Sequence, residues 1–200
     1  MKTTIRRKAR PRSAGFTLLE LLIVVAIILA TAAFGVPYVK AYSVEARLVG
    51  ASRVFQGEFR LARSIAIMKG VQTAIRFEEL DGQPVFSTYV DGNRNGVRAV
   101  DIAQGADRRI SGPIPLASRT SGVRVAINPG VPAIPPDTGA LSGDPIRFGN
   151  SNMVSFSPLG TASPGTFYLA GETLQGAVRV VPGSARVRFL VCRGKKWEER

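Results

Sequence analysis

Residues 15–22 read Gly15-Phe16-Thr17-Leu18-Leu19-Glu20-Leu21-Leu22, and they open an apolar run that reaches Val36. Glu20 is the one charge in that run. At about 1.5 Å per residue a helix over Phe16–Val36 spans roughly 30 Å, the thickness of a hydrocarbon core. Residues 1–15 carry Lys2, Arg6, Arg7, Lys8, Arg10 and Arg12 and no acid. Their removal would lower the net charge of +13 by six, to +7. A basic leader before an apolar run is a topology signal, because Lys and Arg stay on the cytoplasmic side.

Three readings of the run compete. A cleavable secretory signal would use Ala30-Thr31-Ala32 as its small-residue site, but Glu20 then falls inside the apolar region. A plain single-pass anchor has the right length, yet an acid near the centre of a membrane helix costs about 2.5–3.5 kcal/mol on insertion scales. Cleavage between Gly15 and Phe16 accounts for the acid. It creates an amino group four residues before Glu20, at similar membrane depth. The two charges can meet at i, i+4 within one helix or pair between neighbouring helices, and pairing offsets their desolvation.

This segment resembles the class III signal of type IV pilins and pseudopilins. The resemblance implies that a prepilin peptidase and N-methyltransferase cuts after Gly15 and methylates Phe16, and that the apolar helix stays in the mature chain. It implies an assembly role for Glu20. The expected partners are other pseudopilins and an inner-membrane assembly platform.

Past Pro37, which should loosen the helix, a stripe resumes at Val44, Leu48, Ala51, Phe55, Phe59, Ala62 and Ile65. Steps of three and four are helical, so one helix from Phe16 to about Lys69 is expected, with Gly70 as its stop. Its second half needs a cover for one face. That cover should come from strands at 73–77, 84–90, 122–127, 152–156, 165–169, 177–181 and 185–190. Asp81-Gly82 and Pro182-Gly183 serve as turns, and residues 128–145 form a Pro/Gly-rich loop. The fold class is α+β: one long N-terminal helix packed on a mostly antiparallel β-domain, as in the pilin fold that the sequence resembles. The divisions expected are a leader at 1–15, a transmembrane half of the helix at 16–36, an amphipathic half at 37–70 and a periplasmic β-domain at 71–200.

Phe156-Ser157-Pro158-Leu159-Gly160 through Gly165-Thr166-Phe167, with the closing hairpin, resembles pseudopilin H of type II secretion and the related type IV minor pilin T. The resemblance implies a structural subunit of a periplasmic pseudopilus, anchored by a single pass in a bacterial inner membrane. The alternative is a minor pilin working in pilus assembly or DNA uptake. An anchored periplasmic enzyme is a third class. The chain has no histidine, which removes Ser–His–Asp and Cys–His catalysis and His-ligated zinc. Cys192 is the only cysteine, so no intrachain disulfide can form, and it reads as a semi-buried strand residue.

Two constellations remain. Asp91, Asn93 and Asn95, followed by Gly96, match the first half of an EF-hand calcium loop, and Asp101 lies one place before the expected final acid. The alternative is a turn in which Asp and Asn bond their own backbone. Arg186 and Arg188 share one face of a strand within a basic group that also holds Arg179, Arg193, Lys195, Lys196 and Trp197. Such a group can meet nucleic-acid phosphates and stack a base, or it is a solvated strand face. Residues 191–200 carry no assignable pattern.

Overall fold

The computed structural model describes residues 15–200, and of residues 34–41 the backbone alone. The leader therefore lies outside the described residues except for Gly15. The chain forms two units, one ending at Ala41 and the other Tyr42–Arg200.

The helix α1 is assigned over Leu18–Lys69, 52 residues, with Gly70 at φ 64° as its stop. It begins two residues later than Phe16, and the reason is local. The Glu20 amide donates to Thr17 Oγ1 at 3.2 Å and the Leu21 amide to Thr17 O at 3.1 Å. Thr17 is thus the N-cap, and Glu20 sits at the third helical position, as in a capping box. Its carboxylate there also favours the positive end of the helix dipole. The bend expected at Pro37 falls on residues whose side chains lie outside the described ones. Leu18, Leu19, Leu21, Leu22, Ile23, Val24, Val25, Ile27, Ile28 and Leu29 are all exposed. Among the described residues no helix is long and apolar enough to cross a membrane. Side chains are described there only over residues 18–33, fewer than the ~20 a span needs, while the run continues in the sequence to Val36.

In the second unit, two sheets cover the amphipathic part of α1. The first has the order β3-β2-β1-β5, built from β1 (Thr73–Leu80), β2 (Gln83–Val90), β3 (Arg108–Pro115) and β5 (Met153–Phe156). The second has the order β4-β6-β7-β8-β9. Its strands are β4 (Ile146–Arg147), β6 (Gly165–Ala170), β7 (Gln175–Val181), β8 (Arg186–Arg193) and β9 (Lys196–Glu199). Every pairing is antiparallel. Short helices α2 (Ala99–Gln104) and α3 (Ala117–Thr120) flank β3.

The core is an aromatic cluster between α1 and both sheets. Leu48, Ala51, Phe55, Phe59, Ala62 and Ala66 bury one helix face against Phe77 and Phe86 of the first sheet and Phe167, Val178 and Phe189 of the second. The stripe ends on Ala66 rather than Ile65, which is half-buried. A step of four from Ala62 keeps the row on the same face. Phe55 meets Phe167 at 4.5 Å between centroids, and Phe77 stacks on both Phe148 at 5.5 Å and Phe167 at 5.4 Å. A Cβ on Gly165 would run into the Phe148 ring and the Arg147 carbonyl, so glycine lets β6 approach there.

Several elements differ from the sequence expectation, among them α2, α3, β4 and β9, which it did not include. Residues 122–127 alternate but form only one bridge, Arg124 with Ala170. The same edge of β6 is taken by β4 at Thr166 and Phe167 and by the Pro145 carbonyl at the Tyr168 amide, so that Arg124 meets the edge only at Ala170. Strand β3 was not expected, since Gly112, Pro113 and Pro115 punctuate it, and a proline is tolerated because β3 is an edge strand. The loop 128–145 is a loop as expected, but Ile134 and Leu141 are buried. They pack with Tyr168, Ala177 and Leu190 on the outer face of the second sheet. Gln175, 1% exposed, ties that layer down. Its Nε2 donates to the carbonyls of Ala126 and Leu169 and its Oε1 accepts from the Asn128 amide at 2.7 Å.

Candidate functional site: the N-terminal segment and two polar clusters

Gly15 and Phe16 precede the helix and are exposed, Phe16 to 79%. Among the described residues, nothing lies within 4 Å of a Cβ built on Gly15. Glu20 is exposed in the first turn of α1. Because Phe16 lies before the N-cap, the i, i+4 helical relation between positions 16 and 20 does not hold in the uncut chain. Of the two pairings expected for Glu20, the one between neighbouring helices needs no rebuilding of this turn.

The loop after β2 turns its polar atoms inward. Asp91 Oδ1 accepts from the amides of Asn93 at 3.1 Å and Arg94 at 2.7 Å, and Asp91 Oδ2 accepts from Gly96 at 2.8 Å. Asn93 Oδ1 accepts from the Asn95 amide at 3.2 Å. Asp107, which the spacing did not single out, accepts from the amides of Gly92 at 3.1 Å and Arg98 at 2.9 Å. Asp101 stands apart in α2, with a buried Oδ2 that has no hydrogen-bond partner. The side-chain oxygens of Asp91 and Asn93 accept from backbone amides of the same loop. Among the described residues, no group of three or more His, Cys, Asp or Glu is placed to hold a metal ion. The arrangement seen here serves the loop's own backbone. It fits a turn in which carboxylates satisfy amides that no strand reaches.

The C-terminal basic group divides. Arg186 and Arg188 both bond Glu199, at 3.0 Å and 2.6 Å. Arg193 pairs with Glu45 of α1, and Arg200 reaches the same carboxylate at 3.4 Å. The Trp197 indole N–H donates to the Pro132 carbonyl at 2.9 Å, and its ring lies edge-on to Tyr168. The tail from residue 191 thus completes β8, turns at Gly194 and returns as β9. Cys192 is buried, and burial pushes its thiol up from the ordinary value. The signal for this hairpin was faint, because Lys195 and Lys196 mask the alternation.

Arg188 hydrogen-bonds Glu199, and this contact holds the carboxyl below its ordinary value. The contact therefore adds stability above the unfolded-state value and loses it as pH falls through the lowered, folded-state one. Fluorescence of Trp197, the only tryptophan, should report release of β9 in that acid window. Glu199→Gln should already lack the transition. A transition that persists in Glu199→Gln would assign it to another acid.

An exposed apolar helix start led by Gly-Phe, running into a helix that two antiparallel sheets enclose, defines a pilin-like protein. Residues 10–36 match the family model for the prokaryotic N-terminal methylation motif, and residues 51–186 match that for the type II transport protein GspH. The chain belongs to the GspH family. Its resemblance to type II secretion minor pseudopilins is thereby shown, and that family is one of structural components. No curated protein and no solved structure matches the chain.

Proposed function

We propose that this chain is a minor pseudopilin of a type II secretion system. It would insert in the inner membrane through residues 16–36, lose its leader after Gly15 and be methylated on Phe16. It would then enter a periplasmic pseudopilus with residues 71–200 as its globular part. It works as a structural subunit and not as an enzyme. Its partners are other pseudopilins, the prepilin peptidase and the inner-membrane assembly platform.

One observation carries this reading: the first part of α1 exposes Leu, Ile and Val at successive positions. Successive positions lie 100° apart, so the apolar surface runs all round the helix, and water is a poor solvent for it. Lipid in the membrane and sister helices in a fibre are the two surroundings that cover it. Farther along, Gly50 and Gly57 lie on the outward side of the helix with nothing within 4 Å of a Cβ. Leu61 and Met68 continue that side.

The test is Glu20→Ala beside Thr17→Ala, in cells lacking the native chain. Both variants should be cleaved and inserted. Glu20→Ala should lower incorporation with other pseudopilins at least about tenfold, because it leaves a neighbour's buried amine unpaired. Thr17→Ala removes the N-cap but not the charge and should assemble. Equal incorporation of Glu20→Ala and the parent would overturn the pairing.

A further inference from the structure

The outer face of the second sheet carries an arginine row that sequence spacing hides. Arg147 of β4 lies opposite Thr166 of β6, Thr166 opposite Arg179 of β7, and Arg179 opposite Arg188 of β8. At about 4.8 Å per strand the row spans roughly 14 Å. Like charges directly opposite each other on one face repel. Within this chain the repulsion is only partly relieved. Arg188 bonds Glu199, but Arg147 donates to the carbonyls of Asp144 and Ser142, which carry no charge, and lies over the Tyr168 ring at 5.3 Å. Among the described residues, no carboxylate forms an ion pair with Arg147 or Arg179. The three arginines line one cavity of about 540 Å³, rimmed by Pro135, Pro136, Pro164 and Pro182.

We propose that this cavity is a docking site for a carboxylate-bearing polypeptide segment. Arg147 and Arg179 hold the incoming carboxylates, and Arg188 joins them when Glu199 is displaced. The site does not rest on the fibre reading above. The chain itself shows the chemistry, since Glu199 Oε1 accepts from Arg186 Nη2 and its Oε2 from both Nε and Nη2 of Arg188. Proline walls hold the cavity in shape before binding, which lowers the entropy cost of docking. A nucleic acid fits the site less well. Single-strand binding relies on aromatic faces that stack bases. Here Tyr168 is buried beneath Arg147, and the Trp197 N–H is turned into the loop at Pro132. Glu199 then acts as an internal placeholder at the end of a short edge strand.

The experiment titrates a labelled oligoglutamate peptide into the full-length chain in detergent, with a single-stranded oligonucleotide of equal charge as a second probe. Folding of each variant is checked by circular dichroism. The peptide should bind the parent, and added salt should weaken it. The double variant Arg147→Gln, Arg179→Gln should bind about tenfold more weakly. Glu199→Gln should bind several-fold more tightly, because its arginines are released. Arg108→Gln, on the other sheet, should match the parent. The proposal is overturned by a parent that does not bind the peptide, by a double variant that binds like the parent, or by a Glu199→Gln variant that gains nothing. Tighter binding of the oligonucleotide through the same two arginines would also overturn it.

Discussion

Phe59→Ala is expected to destabilise the folded chain by about 3–5 kcal/mol, a loss typical of a large buried ring. Phe59 is fully buried, and its ring meets those of Phe148 at 5.8 Å, Phe156 at 6.3 Å and Phe77 at 6.5 Å. Phe77 and Phe156 belong to β1 and β5 of the first sheet, and Phe148 follows β4 of the second. One helix side chain therefore sits where both sheets meet α1, and no neighbour can close the gap without breaking another ring contact. Phe59→Leu keeps most of the volume and should lose roughly half as much. Chemical denaturation of the full-length chain in detergent, followed at Trp197, measures both. A loss below about 1 kcal/mol for Phe59→Ala would mean that the ring cluster is not what holds the helix to the sheets.

Gly15→Val is expected to leave an uncut precursor, heavier than the processed chain by residues 1–15, and to stop everything downstream of cleavage. Among the described residues nothing lies within 4 Å of a Cβ at this position, so none of them stands in valine's way. A β-branched residue does narrow the backbone to extended conformations. Loss of cleavage would thus report the fit of the peptide bond in the peptidase and not a fault in this protein's fold. Intact-mass spectrometry of the membrane fraction settles it, with Thr17→Ala as the control that should still be cut. Processing of Gly15→Val at the parent's rate would remove the assignment of the cleavage site.

The helix and most strands were legible because their periods are strict. Val44 to Ala62 repeats in threes and fours, and the strands from Thr73 onward alternate between turns whose residues accept positive φ, such as Asp81 and Gly82. Segments whose structure depends on a distant partner were not legible. Residues 122–127 have the alternation of a strand but not its pairing, because β4 takes the same edge of β6. β3 has the pairing, but Gly112, Pro113 and Pro115 disguise its alternation. Where the Asp91 oxygens point was not legible either; they accept from the amides of Asn93, Arg94 and Gly96. Arg186 and Arg188 were visible as a pair. The alignment of Arg188 with Arg179 and Arg147 needed the strand register, and no spacing along the chain carries that.

Glu45 accepts both Arg193 and Arg200, close to where α1 enters the second unit. One turn on, Leu48 lies against β7 where Gly176 leaves no side chain in the way. Tension along α1 would reach the sheet first through this knot, loading it in shear before the aromatic cluster bears any force. Arg200 is one of the two arginines in that knot. A change at Arg200 would therefore slacken the grip on the helix at its point of entry, far in sequence from the segment being pulled.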